Sequence, residues 1–513
     1  MAEAGGIPVV AAVMEAHSDR ADVQHFALWL LVSRRTRTTP VLRGSGSGPP
    51  GRTSVLPRHR GHVTLKDPES QQMTVEAGLL PIAIKMMDTF RETLEVHQHG
   101  CILLRNLVSD LRDDVKESTI PAIVEHQGLE VVLQAMKLHT TEAEVQEPAC
   151  EVLSRVLQGA GALEEKCMEV MQDEGGSHVM LAAMFCFAKY PSIQAALCSA
   201  LGAIAAHNST NQELLVTMGT IEGCVVSMRS HDSHQDVQRE GMTLLEQLTS
   251  GVPRNCAMLV QFGGVDVVVR ALEVFEADAG IFTAAMRILR VLAQVDKHRR
   301  AIGHAGAIKL ITKGMASFTK DEGPLLDALS ALESICGLPK CQLEAVQVGG
   351  ATMTVAAMLE HPHNEQLQRA GVHTLAQLTT ENSSNQVKVC NAGGADAVAG
   401  AMAVHKANAE IVLHCMHTLK NLASNVDCQL EVVMCGGIET TLEVVQVAQQ
   451  RADIVVLGCH IINDLCESRV YVRRRIAKAE GGSVLSRLLK ENTHNDEVLS
   501  VGTSALTRVL AAA

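Results

Sequence analysis

At 513 residues, 47% apolar and 20% charged, the chain is long enough for several domains or for one extended repeat array. Its formal net charge of -13 argues against broad nucleic-acid binding, no run of about 18 uninterrupted apolar residues predicts a membrane span, and Met1 to Pro8 carries no charged and apolar leader pattern. Aromatics are only 2%, so the core must be aliphatic and methionine-rich, and fifteen scattered cysteines fit reduced, buried thiols in a cytoplasmic or nuclear compartment.

The first predicted unit runs from Met1 to Ser33, with a Gly5-Gly6 turn, an apolar helix and a second amphipathic helix. The pattern then fails in mid-helix. Residues 34–69 hold seven arginines from Arg34 to Arg60, five prolines and the run Gly44-Ser45-Gly46-Ser47-Gly48. Such a composition cannot bury a core and is expected to be disordered. It reads as a flexible insertion or a gene-model artefact, and otherwise as a basic regulatory or import loop.

From residue 70 to 513 the pattern resumes and repeats. The segment from Asn391 to Met434 is its template. An Ala392-Gly393-Gly394 turn leads into an apolar helix ending near His405. A longer helix carries Ile411, Cys415, Leu419 and Leu422, and a short helix reaches the next pair, Gly436-Gly437. Aligned on the second turn position, the units begin at Gly6, Leu79, Gly128, Gly176, Thr220, Gly264, Ala307, Gly350, Gly394, Gly437 and, within one residue, Gly481. From Gly176 to Gly481 the spacing holds at 43–44 residues, the signature of a solenoid. Glycine suits a turn that needs positive φ or close backbone approach.

Three columns keep step with the turn. Eight residues on stands an apolar residue, usually methionine, from Met14 and Met87 to Met402 and Leu489. Three further stands a ring: His17, Phe90, His139, Phe187, His231, Phe275, Phe318, His361 and His405, lapsing at Ala448 and Asn492. Inside the long helix a small residue recurs (Ala27, Gly100, Ala149, Gly241, Ala285, Ala328, Gly371, Cys415, Gly458, Gly502), with Leu197 the exception. A helical glycine costs about 1 kcal/mol against alanine, so its recurrence predicts close helix approach. Acids such as Glu95, Asp236 and Glu410 precede the first aliphatic and fit the positive helix end.

With its Gly-Gly turns, three-helix period and the motifs Leu104-Arg105-Asn106-Leu107 and Leu419-Lys420-Asn421-Leu422, the chain resembles the armadillo-repeat family over residues 1–33 and 70–513. The resemblance is to the generic cytosolic members rather than to importin-alpha or beta-catenin. It implies an all-α, right-handed superhelical solenoid of about eleven armadillo repeats, with third helices lining a peptide-binding groove. The column matching the family's groove asparagine reads Ser33, Asn106, Arg155, Ala203, Gln247, Val291, Ser334, Gln377, Asn421, Asp464 and Arg508. Its groove candidates are Asn106, Gln247, Gln377, Asn421 and Asp464, since amide and carboxylate groups can hold a peptide backbone. The tryptophan ladder of the nuclear-import members is missing, as Trp29 is the sole tryptophan.

Catalytic and metal signatures do not emerge. There is no H-E-x-x-H, paired C-x-x-C, Walker-type loop, G-x-S-x-G or kinase set, and the ring-column histidines should stand about 10 Å apart, too far to share an ion. No catalytic residue, cofactor or metal is therefore expected. The basic clusters Lys297-His298-Arg299-Arg300 and Arg473-Arg474-Arg475 read as solvated faces or contacts for an acidic partner. The early first turn and the uncapped end at Ala511-Ala512-Ala513 suggest a cut chain or ends that pack on something. The expected function is a non-catalytic scaffold or adaptor holding an extended protein segment, with no nucleic acid, membrane span or small-molecule substrate. The alternatives are a nuclear-transport-type adaptor or a subunit of a cytoskeletal, ciliary or ubiquitin-ligase assembly.

Overall fold

The computed structural model describes residues 6–32, 74–109, 113–448, 451–467 and 470–511. The basic stretch 34–69 lies outside them. All regular structure among the described residues is helical. The chain divides into two compact units, Met1–Leu248 and Thr249–Ala513.

Each unit is built on two main rows of helices, with first helices such as Asp113–Glu125 and Pro339–Gln347 leading into them. In the first, the second helices Gly6–Ala16, Leu79–Thr89, Gly128–Leu138, Gly176–Cys186 and Thr220–Ser230 pack in succession. Beside them the third helices Ala21–Val32, Leu94–Val108, Ala143–Gly159 and Pro191–His207 form a parallel row. Ala21–Val32 packs directly on Leu94–Val108, so the two repeats flanking residues 34–69 are neighbours in space. In the second unit, Ala279–Leu292, Glu322–Ile335, Glu365–Thr379, Ala409–Ala423, Ala452–Cys466 and Asp496–Leu510 make the third-helix row.

The two turn glycines do different work. The first holds positive φ: Gly219 at 89°, Gly349 at 91°, Gly393 at 83°, with Gln127 (62°) and Glu480 (58°) filling the same place without glycine. The second sits against the residue five positions back. A Cβ built on Gly394 would lie 2.8 Å from the Val389 carbonyl oxygen, and one on Gly437 2.5 Å from that of Val432. Where threonine replaces this glycine, the Thr220 hydroxyl donates to the corresponding Leu215 carbonyl at 2.6 Å.

The small column and the methionine column prove to be one contact. A Cβ on Gly100 would lie 2.4 Å from Met87 Sδ, one on Gly241 2.6 Å from Met228 Cγ and one on Gly371 2.6 Å from Met358 Cγ. Within each of these repeats the second helix drives its methionine into the notch of the third. Third helices are capped by side chains that accept from their first turns, as Asp278, Asn364, Asn408 and Asn495 do.

A buried glutamine column, unread in the sequence, fastens the other end of the second helix. Gln24, Gln146, Gln194, Gln238 and Gln368 each follow the first aliphatic of a third helix. Each donates its Nε2 to two carbonyls at the end of the preceding helix: Gln146 to Met136 (2.8 Å) and His139 (3.0 Å), Gln368 to Met358 (2.6 Å) and His361 (3.0 Å). The inner carbonyl lies in the last helical turn and the amide completes that helix end, while the outer one is shared with a loop N–H, as His139 is with Glu142 (3.2 Å) and His361 with Asn364 (3.2 Å).

Candidate functional site

The groove candidates all lie on third helices and are half-buried. Two belong to the first unit. Asn106, on Leu94–Val108, accepts from Arg105 through Oδ1 at 3.2 and 3.3 Å, and Arg105 lies 3.9 Å from Glu151 of the next third helix. Gln247, on Gln235–Thr249, accepts through its backbone carbonyl from Gln212 at 3.0 Å. The third helices of two further repeats separate their positions and present Arg155 and Ala203 in the column, so these two amides do not form a continuous run.

The second unit does bring candidates together. Gln377, Asn421 and Asp464 sit on three consecutive third helices that pack on one another. Asn421 turns its Nδ2 toward the preceding repeat, donating to Thr379 Oγ1 at 3.1 Å and reaching the Ala376 carbonyl at 3.5 Å. Its amide thus fixes helix spacing in this state. Burial pushes the Asp464 carboxyl above the usual carboxylate range, against the lowering pull of His460 and Lys420.

Histidines interleave with these candidates. His373 lies four residues before Gln377, His417 and His414 four and seven before Asn421, and His460 four before Asp464. That offset is one or two helical turns, so they share the candidates' face. The spacing is legible in the sequence, although these four histidines lie outside the ring column. His373 Nδ1 lies 2.6 Å from Glu333 Oε1, and its ring stands 4.2 Å from that of His414. Burial, followed by the charges of His373 and His417, holds the His414 imidazole down to about 4, with Glu410 and Glu333 opposing. Burial and Lys420 also lower His417.

This depression has a sign. His414 is neutral in the fold and titrates at 6.5 when unfolded, so its contribution is present above that pH and is lost as pH falls from 6.5 through about 4. We expect the unfolding free energy read from urea titration to fall between pH 7 and pH 5 by an amount on the order of 1–2 kcal/mol after allowance for solvent screening. His414→Leu should flatten that slope; an unchanged slope would remove His414 as its source.

Elsewhere the chemistry is quiet. Burial pushes the Cys101 thiol up to about 12 and Cys415 further, which keeps them protonated and poorly nucleophilic. All fifteen cysteines are free thiols. No cluster of three or more His, Cys, Asp or Glu among the described residues has metal-holding geometry. The basic clusters are partly committed inward: Arg299 donates to the Ala293 carbonyl (2.5 Å) and to Asp296 (2.6 Å), and Arg475 to Glu439 (2.8 Å). No helix among the described residues is long and apolar enough to cross a membrane.

Residues 123–256 match the family described as the LRRK2 ARM repeat. No curated protein matches the chain significantly. Among solved structures, an engineered protein matches with a TM-score of 0.63 and 22% identity, covering 84% of this chain and 98% of that one. A chain from a structure concerned with the phosphorylation switch between cadherin and beta-catenin matches with a TM-score of 0.63 and 12% identity, covering 98% of this chain and 99% of that one. At such identities these matches speak to the fold, a helical-repeat solenoid of armadillo type.

Proposed function

We propose that this armadillo-type solenoid is a non-catalytic protein-binding scaffold, and that an extended partner segment lies across its third-helix row. The fold is consistent with an interaction scaffold. The observation that carries the finer reading is the face built by Gln377, Asn421 and Asp464 with His373, His417 and His460 on consecutive helices. Amide, imidazole and carboxylate groups supply donors and acceptors in alternation, which suits the repeating polar groups of an extended backbone. Asn106 and Gln247 supply the same chemistry in the first unit. Stacked repeats make such a face long and shallow, a shape for segments rather than for enclosed substrates. The free thiols accord with a cytoplasmic setting.

The test compares the natural chain with two variants in native lysate by affinity capture and mass spectrometry. One carries Asn106→Ala, Gln247→Ala, Gln377→Ala and Asn421→Ala; the other carries Gln377→Ala, His417→Ala and His460→Ala. Circular dichroism checks that both are folded. The expected result is loss of the same partner from both variants. A partner set identical across all three proteins would defeat the third-helix reading.

A further inference from the structure

The ring column that ends each second helix is a seam between repeats. His231 Nε2 stands 2.8 Å from the Ala188 carbonyl, His361 Nε2 3.0 Å from that of Thr319, and His405 Nε2 2.9 Å from that of Pro362. In every case the carbonyl belongs to the residue just after the preceding repeat's own column residue, Phe187, Phe318 or His361. The ring also lies on a fixed neighbour. Phe318 packs on Phe282 at 5.1 Å and His139 on His97 at 5.0 Å, and both neighbours follow the first aliphatic of the preceding third helix.

At Ala448 the column loses its ring but keeps its backbone: φ -94°, ψ 31°, beside -107° and 38° at His405. A cavity of about 100 Å³ opens there, with apolar walls that include Met402, Val412, Val444 and Ile454. By the register of the other repeats, the residue beneath the ring is Val412 and the accepting carbonyl is that of Lys406. Both residues line the cavity. Its rim is charge-balanced by the pairs Lys406–Glu443 (2.7 Å) and Arg451–Asp453 (2.6 Å). A wider crevice of about 310 Å³ between Met136 and Cys186 lies at the same place in an earlier repeat, where the column keeps its ring; that ring, Phe187, is 5% exposed and is not among the crevice walls.

We propose that this cavity is a binding site for the imidazole ring of a histidine presented by a partner protein. The site is the counterpart of the place the chain gives its own His361 and His405, with a carbonyl one residue past the preceding column position for the N–H, and here with apolar walls for the ring. A volume near 100 Å³ takes a single ring, in line with engineered apolar cavities of about 150 Å³ that bind benzene. The balanced rim favours the neutral imidazole over a charged side chain. The site lies at the end of the second helices and is separate from the third-helix face.

The probe is 4-methylimidazole, titrated into the full chain at pH 8 and followed through the methyl resonances of Met402, Val412 and Ile454. We expect those resonances to shift and saturate at about millimolar concentration. Its isomer 1-methylimidazole, which has no N–H, should bind at least fivefold more weakly. Ala448→His should abolish the shifts by filling the cavity from within and should raise the melting temperature by about 2 °C. Ala448→Phe blocks the same space without needing the carbonyl. Unmoved methyl resonances, equal binding of the two isomers, or undiminished binding to both variants would each overturn the proposal.

Discussion

Gln368→Ala is expected to destabilise the second unit by about 3 kcal/mol. The side chain is 1% exposed, and its Nε2 serves the carbonyls of Met358 and His361 together. Truncation leaves the Met358 carbonyl without this donor, at a cost of about 1–3 kcal/mol for a buried orphan, while the His361 carbonyl keeps the Asn364 N–H at 3.2 Å. The space left by the lost methylene adds a cavity term. Gln368→Leu should cost less, because it refills the volume, and because the chain itself places Phe282, Leu325, Val412 and Val455 at this point of other repeats. Urea unfolding gives the size of the effect, and hydrogen exchange its place. Amides at the end of Gly350–Glu360 should lose protection first, since the repeat loses its clamp before its neighbours do. Equal midpoints for the natural chain and the alanine variant would show that the glutamine clamp carries no net stability.

Gly458→Leu should be comparably severe, for the opposite reason. A Cβ at residue 458 would stand 2.3 Å from Val445 Cγ1, 3.4 Å from Met416 Cε and 3.6 Å from Thr441 Cγ2. Val445 is β-branched and 2% exposed, so its χ1 has little freedom to yield. Overpacking of this kind costs about 1–3 kcal/mol, and the upper end or beyond applies where the clashing group cannot rotate away. Gly371→Leu should be milder, because its neighbour Met358 is unbranched and adaptable. The compensating change is Val445→Ala. Combined with Gly458→Leu it should recover at least half of the loss, read as a coupling energy in a double-mutant cycle of urea midpoints. Strict additivity would mean that the glycine is kept for some reason other than this contact.

Both predictions rest on repeat columns, yet the columns were not equally legible. The methionine and small-residue columns were both visible as periodicities. That they form one contact was not, because a period states that two positions recur and not that they touch. The glutamine column had a plain signal, one residue after the first aliphatic of the third helix, but polar residues inside an apolar pattern look like surface until their partners are located. Spacing says of the ring-column histidines only that they stand too far apart to share an ion. The fold adds their partners, carbonyls some 42 or 43 residues earlier in the chain.

The sequence by itself determined the helical period, the three-helix unit and the turn glycines, because each is written in local spacing and composition. It also placed Asn106, Gln247, Gln377, Asn421 and Asp464 on the third helices. Only the tertiary structure decided which glycine holds positive φ and which yields to the residue five back. Only it stacked His373 on His414 beside Glu333, turned the Asn421 amide onto Thr379, and opened a ring-sized cavity over Val412. The glycine difference is settled within one turn, by a contact five residues back that periodicity does not record, whereas the Asn421 contact and the cavity share another reason. They depend on what lies one repeat away, about 10 Å across a helix packing and more than 40 residues along the chain, a distance over which local pattern carries no geometry.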